Sequence, residues 1–416
     1  MVQTIETRRL IEAAPEDVGM SSARLENVSK LVQGYIDDRK LAGAISMVAR
    51  RGRVVHFETY GNMDAEAAKP MATDTIFRMY SMTKPIASVA LMTLYEEGRF
   101  QLDDPASKFI PEFKGLKVFA RGTADSYEVR DPAREMTVRD LLMHTSGLVS
   151  SGATRPVSQL YQQAGLRGSS SDGTLADFVA KLSKLPLHCD PGAQWNYGVS
   201  TDLVGYLCEV IGGKRFDHFL EERIFSRLGM EDTAFAVPAA KVHRFAANYR
   251  PGAAGEAGYV LTDAPTASPY SQPRTYLSGA GGLVSTASDY MRFCKMLANG
   301  GDLDGERILG PRTLKLMTMN HLPGGRDLAA MNGEGPSETA RDGIGFGLGF
   351  AVLLDPTAAQ IIGTPGEYYW GGAASTAFFV SPAEDLIMIF LTQLQPSSTY
   401  PVRRELRAAI YGAITE

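Results

Sequence analysis

Strand-like sequence stands at both ends of this chain with helical sequence between, and that arrangement restricts the fold more than any other property. Near the start, Ala44-Ile45-Ser46-Met47-Val48-Ala49 and Val54-Val55-His56-Phe57-Glu58-Thr59-Tyr60 flank Arg50-Arg51-Gly52-Arg53, two strand-like runs around a glycine turn. Near the end, residues 368–380 and 386–394, rich in β-branched and aromatic side chains, flank Ser381-Pro382-Ala383-Glu384 in the same way. Strands so distant in sequence share a core most simply as one antiparallel sheet, with the chain between them inserted. Helices are predicted over 22–38 and 402–410 beside the sheet, and over 83–97, 137–143, 175–182, 201–211 and 216–228 within the insert. The helix at 137–143 opens on Thr137-Val138-Arg139-Asp140, a start of capping-box type. The predicted fold class is therefore α/β in the α+β sense, an antiparallel sheet flanked by helices with an inserted, mainly helical subdomain. The chain 1–416 is read as one unit, its α/β lobe at about 1–75 and 275–416 and its helical lobe at about 76–274. Polar or glycine-rich stretches at 120–134, 150–173 and 323–343 interrupt the pattern as loops, either rims and lids or plain insertions, and no internal repeat is present.

The 416 residues are 44% hydrophobic and 21% charged, which suits a large folded interior and excludes disordered or fibrous classes. Cys189, Cys208 and Cys294 are odd in number and form no C-x-x-C pair, so neither a disulfide framework nor a thiolate zinc site is expected. A net charge of −5 without a clustered Lys/Arg stripe gives no reason to expect nucleic acid or an anionic membrane surface as a partner. Charged residues from Glu6 to Glu16 break up the start of the chain, and the longest strongly apolar run, 386–391, is far below the ~20 residues of a membrane helix. These features predict a soluble, cytoplasmic protein acting on a small molecule.

Several signatures of chemistry are missing: no G-x-S-x-G, no H-E-x-x-H, no G-x-x-x-x-G-K-[ST] and no complete G-x-G-x-x-G. Three other features remain. The first is Ser81-Met82-Thr83-Lys84, followed by Pro85 and an almost wholly apolar helix that stops at Gly98. Proline is tolerated in a first turn, which puts Ser81 at the helix start, and residues three apart share a face, which puts Lys84 beside it. An amine buried by such a helix is disfavoured as a cation and can serve as base to a neighbouring hydroxyl. The spacing alone is expected roughly once by chance in a chain of this composition, and an N-cap serine with a snorkelling lysine is its structural counterpart. The second feature is the loop Pro191-Gly192-Ala193-Gln194-Trp195-Asn196-Tyr197-Gly198, where Tyr197 either packs against Trp195 or faces a cleft and shares a proton with Ser81 and Lys84. The third is Trp370-Gly371-Gly372-Ala373 inside the run 368–380, where two glycines mark either a bulge or a close approach of backbone or ligand.

Taken together and in this order, Ser81-x-x-Lys84, Tyr197 and Trp370-Gly371-Gly372 resemble the three motifs of the serine β-lactamase and penicillin-binding-protein superfamily. The resemblance is to its esterase branch, the family VIII carboxylesterases, and to the related lovastatin-type acyltransferases. Leu141-Leu142-Met143-His144-Thr145-Ser146-Gly147-Leu148 and Gly281-Gly282-Leu283-Val284-Ser285-Thr286 are similar as well, and the likeness extends over 18–410. It implies a β-lactamase/transpeptidase-like fold and assigns Ser81 as nucleophile with Lys84 and Tyr197 as its base system, in which the proton acceptor stays open. It further implies an oxyanion hole from the N–H groups of Ser81 and Ala373, and substrate contacts at Trp370, Gly371 and Gly372. His144 is expected to be structural. No metal and no cofactor are implied.

Two departures narrow the substrate. Relatives that open β-lactams carry Y-x-N, whereas Val199 holds that Asn position here; their strand motif starts with Lys or His, whereas this chain has Trp370. Losing a charge-assisted hydrogen bond costs ~1.5–3 kcal/mol, so both changes turn the site away from anionic lactams and towards small uncharged esters. Three rivals stay open: an acyltransferase, a β-lactamase or D-alanyl-D-alanine peptidase, and a catalytically silent binding protein on the same scaffold.

Overall fold

The computed structural model describes residues 11–253, 258–333, 335 and 342–416. Residues 1–10 of the N-terminal segment, and 334 with 336–341 of the third predicted loop, lie outside the described residues.

The elements run α1 (Ser22–Asp37), β1 (Gly43–Arg50), β2 (Arg53–Asp64), β3 (Lys69–Pro70), α2 (Thr83–Glu96), α3 (Val138–Leu142), α4 (Pro156–Gln163), α5 (Leu175–Leu182), α6 (Ser200–Gly212), α7 (Phe216–Leu220), α8 (Ala287–Ala298), β4 (Ile344–Phe346), β5 (Ala351–Leu353), β6 (Tyr368–Gly371), β7 (Ala377–Ser381), β8 (Leu386–Thr392) and α9 (Val402–Tyr411), with short turns and ladders between. Eight strands form one sheet in the order β4-β5-β6-β7-β8-β1-β2-β3, so the two ends of the chain meet where β8 lies beside β1. That central pair is antiparallel, with Ile45 opposite Leu391 and Met47 opposite Ile389.

Helices cover both faces of the sheet. On one face, Val28 and Val32 of α1 and Leu406 and Ile410 of α9 pack on Val48, Phe379 and Met388. On the other, Ile45, Met47, Phe378 and Ile389 join the core that includes α2, α6 and α8. Every residue of β8 is buried, which is why 386–391 reads as an unbroken apolar run rather than an alternating one.

Four expectations change in detail. The run 368–380 is two strands: the chain leaves β6 after Gly371 and turns through 372–376 into β7, with Gly371 opposite Ala377. The helix predicted over 216–228 winds into a π turn, Glu221–Phe225, after α7. The stretch 120–134 is largely a hairpin of Val118–Gly122 with Tyr127–Arg130, exposed along its second strand. The stretch 150–173 contains α4, whose buried Val157, Leu160 and Tyr161 fold it onto the core. In the last of these, tertiary packing of a few apolar residues overrides a local signal dominated by polar and glycine residues.

Candidate active site

The segment that carries Ser81 is fixed before it arrives. Phe77–Arg78 pairs with Val284–Ser285, and the fully buried Arg78 donates to Asp263 at 2.7 Å and to the Ala246 carbonyl at 2.6 Å. Tyr80, the next residue but one, has φ 45°, a left-handed conformation that a tyrosine holds only when its surroundings impose it. The chain then makes a single tight turn, Tyr80–Met82, and enters α2. Residues 83–94 of α2 are all buried, Lys84 among them at 3% exposure.

The structure brings Ser81, Lys84 and Tyr197 together. Lys84 Nζ donates to Ser81 Oγ at 3.3 Å and to the Ala280 carbonyl at 2.7 Å, and the Tyr197 hydroxyl donates to Ser81 Oγ at 2.5 Å. Lys84 Nζ also lies 4.4 Å from the centre of the Tyr197 ring. The Tyr197 loop is strapped to the turn after α3, where Asn196 N–H donates to the His144 carbonyl at 2.8 Å and Gly192 N–H to the Thr145 carbonyl at 2.7 Å. The His144 ring stands 5.0 Å from the Tyr197 ring, and burial, with the Lys84 charge nearby, holds its imidazole well below the usual histidine range. A buried neutral ring of this kind packs against the tyrosine and supports it.

These groups face a cavity of about 210 Å³ bordered also by Ser150, Ser151, Arg167, Gly168, Ser169, Val199, Asp202, Gly281 and Ala373. Part of the loop 150–173 thus forms a wall of the site, while no residue of 120–134 borders this cavity. Ala373 belongs to the turn between β6 and β7. Its two glycines permit the close approach expected of them: a Cβ on Gly372 would stand 2.5 Å from the Met79 carbonyl oxygen, and one on Gly371 2.8 Å from that of Thr376. The turn is closed by Gly372 N–H to the Thr376 carbonyl at 2.9 Å and Ser375 N–H to the Gly372 carbonyl at 3.1 Å, a pairing that does not use the Ala373 N–H.

Trp370 and Gly371 stand elsewhere than expected. Neither borders the Ser81 cavity, nor does Gly372, the third expected contact; Trp370 and Gly371 touch a second cavity, of about 590 Å³, between the sheet and the start of α9. Successive side chains of a strand point to opposite faces. The Trp370 ring therefore turns towards Tyr197, at 5.4 Å, and Phe346, at 5.5 Å, and backs the tyrosine from a nearly closed position.

Two participants carry no clear mark of a site residue in the sequence. The Ala280 carbonyl that binds Lys84 is presented by the loop that precedes Gly281, and that loop is held by Asp202, whose carboxylate accepts from Ser278 Oγ at 2.5 Å and Ala280 N–H at 3.3 Å. Burial raises the Asp202 carboxyl above the ordinary range despite those hydrogen bonds and the Lys84 charge. The available signal is small: an acidic residue in the first turn of α6.

The groups on the Ser81 hydroxyl are an amine and a phenol, each able to exchange a proton with it, and an enzyme so equipped is a serine hydrolase. The chain belongs to the beta-lactamase family, whose profile matches residues 28–412, and its fold is the β-lactamase/transpeptidase-like one. It is 33% identical to Protein Rv1367c of Mycobacterium tuberculosis over 369 residues, 88% of this chain and 89% of that protein. It is 31% identical to Esterase EstB of Burkholderia gladioli over 424 residues, 95% of this chain and 96% of the esterase. Among solved structures, EstCE1, a hydrolase with promiscuous acyltransferase activity, matches with a TM-score of 0.77 at 27% identity, covering 94% of this chain and 99% of that one. Among the described residues, no helix is long and apolar enough to cross a membrane.

Proposed function

We propose that this protein is a carboxylesterase that hydrolyses small uncharged carboxylic esters through an acyl-enzyme on Ser81. The observation that carries the reading is the double hydrogen bonding of Ser81 Oγ, from Tyr197 at 2.5 Å and Lys84 at 3.3 Å, at the wall of a cavity. In this reading one member of the Lys84–Tyr197 pair acts in its deprotonated form, as free amine or phenolate; Ser81 adds to the ester carbonyl and its proton passes to that group. The N–H groups of Ser81 and Ala373 take the charge on the tetrahedral oxygen. The pair returns the proton to the departing alkoxide, and water then repeats the sequence on the acyl-enzyme.

The size and lining of the cavity support the substrate class. At about 210 Å³ it is smaller than the ~300–1,000 Å³ of drug-sized sites, which favours short acyl groups. Val199 forms part of the wall and has no side-chain donor for a polar substituent. The guanidinium on the lining, Arg167, is exposed, where solvent and salt screen it from a substrate carboxylate. Similarity to Esterase EstB and to the hydrolase EstCE1 supports ester cleavage. The promiscuous acyltransferase activity of EstCE1 also favours a second reading, acyl transfer to an alcohol in place of water.

Hydrolysis of a p-nitrophenyl ester series by the wild type and Ser81→Ala, with and without an added alcohol, tests both. Activity on short chains that vanishes in Ser81→Ala supports the esterase, and faster deacylation with an ester product in the presence of alcohol supports the transferase. A chromogenic cephalosporin opened faster than any ester would overturn both in favour of a lactamase.

A further inference from the structure

Arg403 reaches from the first turn of α9 to the turn between β6 and β7. Its Nη2 donates to the Gly372 carbonyl at 2.7 Å and to the Thr376 carbonyl at 2.8 Å, bridging the two ends of that turn. Gly371 makes the approach possible, because a Cβ there would stand 2.6 Å from the guanidinium carbon. The Gly372 carbonyl and the Ala373 N–H belong to the same peptide group. A trans peptide is planar, with its C=O and N–H pointing in opposite directions, so a carbonyl anchored on one side fixes where the N–H points on the other. Ala373 borders the Ser81 cavity, whereas Arg403 borders the larger cavity behind the strand. A cationic donor on the carbonyl also polarises the peptide and strengthens its N–H as a donor.

We propose that Arg403 is a positioning residue of the oxyanion site, which aims and strengthens the Ala373 N–H through the one peptide group they share. The proposal rests on the reading of Ala373 as an oxyanion donor. It extends the site to a helix that contributes no atom to the Ser81 cavity.

The test uses Arg403→Ala and Arg403→Lys, with three readouts: kcat and KM on a short p-nitrophenyl ester, affinity for an alkyl boronic acid that forms a tetrahedral adduct on Ser81, and thermal melting. A misplaced oxyanion donor is expected to lower kcat roughly tenfold to hundredfold while KM changes little, with boronate affinity falling in parallel. Arg403→Lys, which keeps the charge on a shorter side chain without the guanidinium's fixed geometry, is expected to fall between wild type and Arg403→Ala. The cavity of about 590 Å³ beside Arg403 is large enough to admit guanidinium ion once the side chain is cut back, so added guanidinium should restore part of kcat in Arg403→Ala and none in Ser81→Ala. A folded Arg403→Ala with unchanged kcat and boronate affinity overturns the proposal. So does a loss that guanidinium does not repair and that tracks melting temperature across the two variants. If Arg403→Ala does not fold, Arg403→Lys decides by kcat and boronate affinity. Failure of the underlying reading looks different: Ser81→Ala then keeps ester hydrolysis, or the wild type binds no boronate.

Discussion

Ser81 and Ser46 each sit against a tyrosine and a nitrogen base, and by distance alone Ser46 looks the better equipped. Ser46 Oγ lies 2.7 Å from His56 Nε2 and 3.0 Å from the Tyr60 hydroxyl, which donates to Glu58 at 2.9 Å. Ser81 Oγ has Tyr197 at 2.5 Å but its lysine at 3.3 Å. What separates the two is backbone and access. Ser46 is in the middle of β1, 3% exposed, on the face packed beneath α1. A cavity of about 450 Å³ reaches His56 and Glu58 but does not touch Ser46. Ser81 follows a left-handed Tyr80, begins a helix, and shares a cavity with a turn whose own closure leaves the Ala373 N–H aside. On the proposed reading, a short hydrogen bond between a serine and a base is a packing solution in one place and a reactive arrangement in the other. The difference is a path for the substrate and a place for the charge the reaction creates.

The strongest experiment on this contrast is made at the serines themselves. Ser81→Ala should lower kcat on a short ester by at least roughly 10⁴, while Ser46→Ala stays within about twofold of wild type. The reverse result would exchange the roles of the two clusters. Tyr197→Phe keeps the ring among His144, Trp195 and Trp370 and removes only the hydroxyl, so kcat should fall by about 10²–10⁴ with little change in melting temperature. An equal loss of stability would recast Tyr197 as a packing residue.

Smaller effects fall on the stability side. His56 and His144 are both held below the usual histidine range, chiefly by burial. As pH falls below ~6.5, the unfolded chain takes up protons that the folded one refuses, so stability present above that pH is lost on the way down to the folded-state values. Asp202 works the other way, since its raised carboxyl contributes stability at low pH that is lost as pH rises through its folded value. Melting temperature should therefore drop between about pH 7.5 and about pH 5, and His56→Gln or His144→Gln should each flatten the slope, the second alone lowering kcat. Slopes unchanged in both variants would count against buried neutral histidines. Smallest of all, Ser46→Ala should cost about 1 kcal/mol of unfolding free energy in denaturant titration, the worth of its hydrogen bonds and nothing catalytic.

Much of this architecture is legible in the chain because its signals are local. Pro85 in a first turn and an apolar stretch ending at Gly98 predict α2 nearly to the residue, and the hairpin around Gly52 is where the glycine turn places it. Trp370 is misleading in sequence for a physical reason. An aromatic beside two glycines suggests a ligand wall, but which face of β6 it occupies depends on where the strand breaks into the turn at 372–376. That break is imposed by contact with Met79 and Arg403, one of them almost three hundred residues away along the chain and the other on a later helix.

Local sequence settles what a few consecutive residues can. It places the lysine one helical turn from the serine, puts strands at both ends and helices between, and leaves no motif for the common alternatives. Tertiary structure alone decides which of two serines is reachable, and it brings Tyr197, the Ala280 carbonyl and the 372–376 turn to one cavity, with Arg403 behind that turn. The physical reason is range: helical and strand periodicity follows from backbone geometry within a few residues, whereas a cavity, a strained φ and a peptide clamped from behind exist only once distant segments pack against one another.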